Sequence, residues 1–547
     1  MLDRAAIDAL FPSDLPEPAH WEQQYPPRSL PEGARVTRLG PSPTGFMHIG
    51  QVYVGLIDSD ISRRSGGVYI VRVEDTDQSR EVEGAVEQFA RAFAYAGIVP
   101  DETLGTGDYG PYAQSQRVAI YQTYVRELLR EGKAYLCFAT KDELANLTER
   151  QRNADVPTGY YGRWALWRDA SDDDVRAKLA SGAPYVVRFR SPAAPGERVS
   201  FTDAIRGELS HEANRNDAVI LKSSDSPLRL PTYHFAHAVD DHLMRVDLVI
   251  RGDEWISSVP LHLQLFSALG FEPPEYAHIA PLMKQEGKSK RKLSKRKDPE
   301  ASLDSYIQAG FSSEALRYYL RGLANARLAE LPLREALDEP IRLAELGVAG
   351  PMADLVKLED ISADYVASLS GAEIVAALSE WASTYDPELV KVLETERDLA
   401  LRALAVEREG VDNPRKDLRK WSDFRPAYGF FFSSLFPLVS DPADERFGGL
   451  SPELVRAVLT DFASTYAWTD DSQAWFEQIR ALVGRHGFAP SPKEYKKNPD
   501  AYPGSLREVA QTIRVALTGS TRSPDLWAVT GALGDDEVKR RLQAVSP

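Results

Sequence analysis

Arg35-Val36-Thr37-Arg38-Leu39-Gly40-Pro41-Ser42-Pro43-Thr44-Gly45-Phe46-Met47-His48-Ile49-Gly50-Gln51 is the stretch that decides how this chain is read. Arg35–Leu39 is short and part apolar, a strand. Pro41 to Gly45 is a stiff turn, and a helical stretch follows through Arg64 until Gly66-Gly67 breaks it. Val68–Val73 reads as a buried strand rich in β-branched residues, and it runs straight into Glu74-Asp75-Thr76-Asp77. From Val82 the residues Val86, Phe89, Ala90, Phe93 and Ala94 keep helical spacing. Strand, helix, strand and helix with short joints predict an α/β fold on a parallel sheet. Such sheets place ligands at the C-terminal ends of their strands, where these carboxylates fall.

Working outward, residues 1–34 carry six prolines and cannot form one helix. They read as an extended arm anchored by Trp21 and Tyr25, or as a floppy tail. Residues 111–230 are mixed, with a helix over Val118–Gly132 and short strands such as Tyr185–Arg190, and read as an insertion. Leu248-Val249-Ile250 is another buried strand, ending in Arg251-Gly252-Asp253-Glu254-Trp255. Beyond about residue 300 the text is helical almost throughout. The plan is an α/β half, interrupted once by an α+β insertion, followed by an all-helical half.

The chain has 547 residues, enough for about three to five domains. With 43% hydrophobic and 27% charged residues it reads as globular, and no apolar run reaches membrane length. No secretory signal is legible at the N-terminus. Cys137 is the single cysteine, so neither an intrachain disulfide nor a cysteine-based zinc site can form, and a cytoplasmic home is expected. The net charge of −16 is a poor global match for a nucleic-acid binder, but the field that matters is local.

Three segments carry chemistry. In the first, the proline turn fixes where a helix starts, and the free N–H groups of that helix suit phosphate. His48 at its mouth can donate to a phosphate oxygen, and Gly50 lets a flat group approach the backbone. The alternative is a structural turn with a capping histidine. The second segment is Lys284–Lys297, where eight of fourteen residues are Lys or Arg. It reads as a mobile cationic loop, serving either a triphosphate or a nucleic-acid backbone. The third is the set of strand-end charges Arg38, Glu74 and Arg251. Arginine suits carboxylates and Glu74 suits an amine, as an amino acid would need. A structural ion-pair network is the competing use.

Together these residues resemble glutamyl-tRNA synthetases, class I enzymes of bacterial type. Pro41–Gly50 is similar to the family's HIGH-type signature, and Lys292-Leu293-Ser294-Lys295-Arg296 to its KMSKS-type loop. Arg72-Val73-Glu74-Asp75-Thr76-Asp77, Gly110-Pro111-Tyr112, Leu230-Pro231-Thr232-Tyr233-His234, Val239-Asp240-Asp241-His242 and Gly252-Asp253-Glu254-Trp255 also match in order. Ile513–Gly519 resembles a string of the anticodon-binding part.

The resemblance implies a Rossmann-type catalytic domain (35–110 and 231–285) split by an acceptor-stem-binding insertion (111–230). A stem-contact region (286–350) and helical anticodon-binding domains (351–547) would follow, with 1–34 an extension. It implies ATP-dependent ligation of L-glutamate to the 3′ end of tRNA(Glu) through a glutamyl-adenylate, with Mg²⁺ bound to ATP and no zinc. It implies His48, Lys292 and Lys295 as the catalytic groups. His48, Gly50, Glu254, Trp255, Lys292, Leu293, Ser294 and Lys295 would contact ATP. Arg38, Ser42, Glu74, Tyr233, His237 and Arg251 would contact glutamate, and Arg514 an anticodon base. A monomer without membrane contact is expected.

The chain departs from the pattern in places. Gly40 stands where Ala is usual, which widens the pocket slightly. His237 stands where Asn is common, so its charge could change with pH. Ser226–Arg229 lengthens a loop. The alternatives are a non-discriminating or pathway-specialised paralogue, a shortened-type relative that modifies a base, against which the long helical half argues, and a tRNA-binding protein without ligase activity, against which the intact cationic loop and His48 argue.

Overall fold

A computed structural model describes residues 2–77 and 82–545; the outer ends of the first and last expected segments lie outside the described residues. The chain forms two compact units, residues 1–306 with 316–354, and residues 307–315 with 355–547.

The first unit opens with two short helices, α1 (Arg4–Asp8) and α2 (Pro18–Gln24). The proline-rich segment is therefore an arm laid on the body as expected, not a floppy tail, but two short helices interrupt its extended course. Asp3 caps α1 through its side chain, and Pro18 starts α2, where its missing N–H costs nothing. The two expected anchors hold it down. Trp21 Nε1–H donates to Thr123 Oγ1 at 3.0 Å, and the Tyr25 hydroxyl donates to the Gly110 carbonyl at 2.6 Å.

β1 (Val36–Leu39), α3 (Ile49–Ser65) and β2 (Val68–Val71) form the expected parallel unit, with Val36 opposite Val68 and Leu39 opposite Val71. α4 (Ala85–Tyr95) follows. The middle stretch holds α5 (Val118–Arg130), β3 (Ala134–Cys137), α6 (Lys141–Asn153), α7 (Asp172–Ala180), β4 (Val186–Phe189), the hairpin β5 (Arg198–Asp203) and β6 (Gly207–Glu212), and β7 (Val219–Leu221). β3, β4 and β7 make an antiparallel sheet in that order. The β5–β6 hairpin instead joins a four-stranded sheet of order β6-β5-β9-β8. In it β8 (Leu248–Gly252) and β9 (Glu275–Ile279) run parallel, reached through α8 (Tyr233–Leu243) and α9 (Val259–Leu269). The Asp247 N–H donates to the Val36 carbonyl at 3.2 Å, which sets the foot of β8 beside β1. The C-terminal ends of β1, β2, β8 and β9 thus share one edge.

The cationic stretch is not a plain loop. β10 (Met283–Glu286) and β11 (Ser289–Lys292) form an antiparallel hairpin with Met283 opposite Lys292. The second unit is helical, and one continuous apolar core runs from Val366 through Phe424, Phe462, Trp475 and Ile513 to Leu542. Among the described residues no helix is long and apolar enough to cross a membrane.

Candidate functional site

A cleft of about 640 Å³ opens at the shared strand edge. Its lining includes Arg38, Ser42, His48, Gly50, Glu74, Tyr233, Arg251, Glu254, Trp255, Lys292, Leu293 and Lys295. Of the sequence-predicted residues in this unit, only Ser294 and His237 do not line it. Ser294 turns its N–H to Asp298 Oδ2 at 2.9 Å. Arg514 lies in the other unit, on helix Leu506–Thr518, where its Nε–H donates to Ser523 Oγ at 3.0 Å.

His48 is the N-cap of α3. Its Nδ1 accepts the Gly50 N–H at 2.8 Å, and its own N–H donates to Gln51 Oε1 at 3.1 Å, closing a capping box. With Nδ1 accepting, the ring proton sits on Nε2. Burial, then the nearby Lys295, pushes the imidazole down to about 4, against hydrogen bonding to the Leu293 backbone. His48 is therefore neutral at physiological pH and offers one N–H donor. A Cβ on Gly50 would stand 2.9 Å from His48 Nδ1, so that glycine protects the histidine's orientation. The cap fixes the ring's orientation at the cleft.

The two signature segments meet in this cleft. Lys295 Nζ donates to the Phe46 carbonyl, and the His48 backbone bridges to Ser302. Lys292 Nζ donates to Glu254 Oε1 at 3.1 Å, both side chains half-exposed. Leu293 is buried and its N–H donates to Leu282 O at 2.9 Å, which pins the segment. Asp298, also buried, accepts both Arg291 Nη1–H and Nη2–H at 2.6 and 2.7 Å and Lys284 Nζ at 3.1 Å. These cations, Arg291 first, hold its carboxyl well below the usual range. The stretch read as a mobile loop is folded because one buried carboxylate gathers two of its cations.

The strand-end charges sit in a buried network. Arg72 Nη1 donates to Asp241 Oδ1 at 2.6 Å, and Arg72 Nη2 to Glu74 Oε1 at 3.0 Å. Arg38 Nε donates to Asp241 Oδ2 at 3.1 Å. Burial alone would discharge Asp241, but Arg38 and Arg72 keep its carboxyl far below the usual range. Burial pushes Glu74 up, against Arg72 and Arg38. So the structural ion-pair network exists, and Arg38 and Glu74 also face the cleft. Gly40 corrects the expectation of a slightly wider pocket. A Cβ there would stand 2.2 Å from Glu74 Oε1, so the missing methyl is where the carboxylate itself lies.

Arg251 is different. It is 5% exposed, yet no carboxylate pairs with it among the described residues. Its Nε donates to His278 Nε2 at 3.0 Å, its Nη2 lies 3.2 Å from His262 Nδ1, and its Nη1 has no partner. The rings of Tyr276 and Trp255 flank it, with the guanidinium carbon 4.8 and 5.9 Å from their centroids. A buried cation with an unfilled donor at a cleft has the chemistry to take a carboxylate.

His237 lies behind this wall. It is fully buried, with Nδ1 2.8 Å from Asp241 Oδ2 and Nε2 3.1 Å from the Tyr276 hydroxyl, and its ring stacks on Tyr233. Burial pushes it down to about 4, so its charge does not change near neutral pH, contrary to expectation. Sequence reading missed His262, His278 and the role of Asp241. Asp240-Asp241 stood in a matched string; the histidines gave no local signal. Among the described residues no group of three or more His, Cys, Asp and Glu is placed to hold a metal ion.

Comparison with known proteins adds to this geometry. Residues 35–358 match the model for class I tRNA synthetases (E and Q), catalytic domain, and residues 504–546 match an anticodon binding domain. A glutamate–tRNA ligase of Acetivibrio thermocellus is 41% identical over 98% of both chains. One of Clostridium beijerinckii is 40% identical over 96% of both. The crystal structure of a glutamate tRNA ligase from Elizabethkingia meningosepticum, in complex with its amino acid, superposes with a TM-score of 0.74 at 27% identity. It covers 94% of this chain and 99% of its own.

Proposed function

The chain belongs to the glutamate–tRNA ligases of the class I tRNA synthetases, and we propose that its cleft joins L-glutamate to the 3′ end of tRNA(Glu) at the expense of ATP. One observation carries the assignment of residues to steps. The His48 turn and the Lys292–Lys295 segment line the same cleft as an uncompensated Arg251.

In the first step the glutamate α-carboxylate attacks the α-phosphorus of ATP, giving glutamyl-adenylate and pyrophosphate. In the second the terminal tRNA hydroxyl attacks the activated carbonyl and AMP leaves. Neither step needs a protein nucleophile; the chain positions and stabilises charge. Arg251 takes the substrate's side-chain carboxylate, with Arg38 beside it. Glu74 takes the ammonium group, and Ser42 and Tyr233 close round the backbone of the amino acid. His48 Nε2–H exchanges its Leu293 backbone contact for a phosphate oxygen while Lys292 and Lys295 follow the charge that develops on the leaving pyrophosphate. Gly50, Trp255 and Leu293 shape the nucleotide's bed, and Ser294 supports it from behind through Asp298. Bound to the nucleotide, magnesium would supply neutralisation of triphosphate charge. Glu254, paired with Lys292 at the rim, contacts the nucleotide.

Arg514, in the segment that matches an anticodon binding domain, is assigned to an anticodon base. The assigned parts are a catalytic domain over 35–110 and 231–285, an acceptor-stem insertion over 111–230, a stem-contact region over 286–350 and helical anticodon-binding domains over 351–547, with 1–34 as a brace. The cleft is completed by one chain, which supports a monomer as the working unit, and the lone buried thiol of Cys137 suits the cytoplasm.

The test is ATP–pyrophosphate exchange by the purified chain in the presence of tRNA. Exchange that depends on glutamate and not on glutamine is expected. Binding of tRNA without any exchange would instead mark an idle tRNA-binding protein.

A further inference from the structure

Arg251 is oriented by imidazole lone pairs, and one of these is set by a carboxylate that does not touch the cleft. Arg251 Nε–H donates to His278 Nε2 at 3.0 Å. A neutral imidazole accepts there only when its proton is on Nδ1. His278 Nδ1 lies 2.6 Å from Asp203 Oδ2, and the His278 backbone N–H donates to the same oxygen at 3.0 Å. Asp203 Oδ1 is occupied too, accepting the N–H groups of Ile205 and Arg206 at 3.0 Å each in the turn between β5 and β6. Asp203 is 1% and His278 0% exposed, and Asp203 is absent from the cleft lining. Burial opposes the Asp203 charge, but His278 and the turn N–H groups hold its carboxyl below the usual range. Burial likewise pushes the His278 imidazole down. The pair is thus an anion beside a neutral ring.

We propose that Asp203 is a positioning residue for amino-acid selection: through His278 it keeps a neutral lone pair on Arg251, so the guanidinium is oriented while its charge is left for the substrate's side-chain carboxylate. A carboxylate placed directly on Arg251 would orient it equally well but would meet its charge. A ring with its proton on Nε2 would set N–H against N–H and turn the arginine away. The β5–β6 hairpin, which the sequence places in the insertion, thereby takes part in selecting the amino acid. This rests on Arg251 as the contact for the glutamate side chain.

The experiment is steady-state charging of tRNA by the full chain and three variants. An amide has one oxygen where Asp203 has two, so in Asp203→Asn either the turn or the imidazole loses its acceptor. The KM for glutamate is expected to rise about tenfold or more, the scale of an unpaired buried donor, with weaker rejection of glutamine and an unchanged KM for ATP. His278→Gln keeps an oxygen acceptor for Arg251 and is expected to raise the KM for glutamate less than His278→Leu does. A wild-type KM for glutamate in Asp203→Asn would overturn the inference alone. So would a parallel rise for glutamate and ATP, or equal effects of Gln and Leu. A wild-type chain that failed to charge glutamate would overturn the functional reading and this inference with it.

Discussion

At the residue scale, selectivity comes down to which buried charge has been left unmet. Arg38 and Arg72 share Asp241, whereas Arg251 has only neutral partners. On the proposed assignment, Arg251→Ala removes a buried cation whose charge no carboxylate meets among the described residues. The kcat/KM for glutamate is expected to fall by ~2–5 kcal/mol, as when one member of a buried charge pair is truncated, with the KM for ATP little changed. Wild-type glutamate kinetics in that variant would contradict the assignment. His237 gives a pH prediction. An exposed histidine titrates near 6.5, while burial holds His237 at about 4. Between those values the unfolded chain carries a proton the folded chain refuses. Stability therefore falls as pH drops from 6.5 towards 4, by about 3 kcal/mol at the lower end from this group. Urea denaturation of His237→Asn at pH 7 and pH 5 is expected to show a smaller pH dependence than the wild type; an equal dependence would refute the claim.

At the element scale, the N-terminal segment is part of the first unit's core. Ile7, Phe11, Leu15 and Tyr25 are buried in the same cluster as Tyr121 and Val125 of α5. Arg126 donates to the Leu15 and Pro16 carbonyls, and Arg229 of the lengthened loop donates to Leu10 O at 3.0 Å and stacks near Phe11. Deleting residues 2–34 removes four large side chains from this cluster, worth ~1.5–3 kcal/mol each. A loss of unfolding free energy of about 5 kcal/mol or more is expected, read as a lower denaturation midpoint, and an unshifted midpoint would show the segment to be dispensable. Legibility in the sequence follows the range of the forces involved. β1, α3 and β2 were readable because their apolar pattern, breakers and caps are all local. α1 and α2 carried local signals, Asp3 as a cap and Pro18 at a first turn, but the proline count outweighed them. The β10–β11 hairpin gave no alternating pattern because both its faces are largely polar, and Asp298, which holds it, acts through ion pairs. The Asp203–His278 contact joins residues 75 apart and left no mark in the text. Matched strings found the lining of the cleft, but not the residues that hold that lining in place.

At the scale of the whole molecule, a chain of net charge −16 has to hold a polyanion. That works only if the cationic contacts are local. Binding of tRNA is therefore expected to weaken steeply with salt, at least about tenfold between ~50 and ~200 mM, because phosphate contacts release counterions. Filter binding across that range reads the slope, and a flat line would mean that cationic contacts do not carry the affinity. The deeper claim is that one cleft holds the nucleotide between the His48 turn and the Lys292–Lys295 segment while Arg251 holds the amino acid. A crystal structure of the chain with a non-reactive glutamyl-adenylate analogue tests it most directly. The side-chain carboxylate is predicted within hydrogen-bond distance of Arg251, with the phosphate group between His48 and Lys295. An analogue seated with that carboxylate away from Arg251, or with its phosphate outside those two residues, would contradict the account.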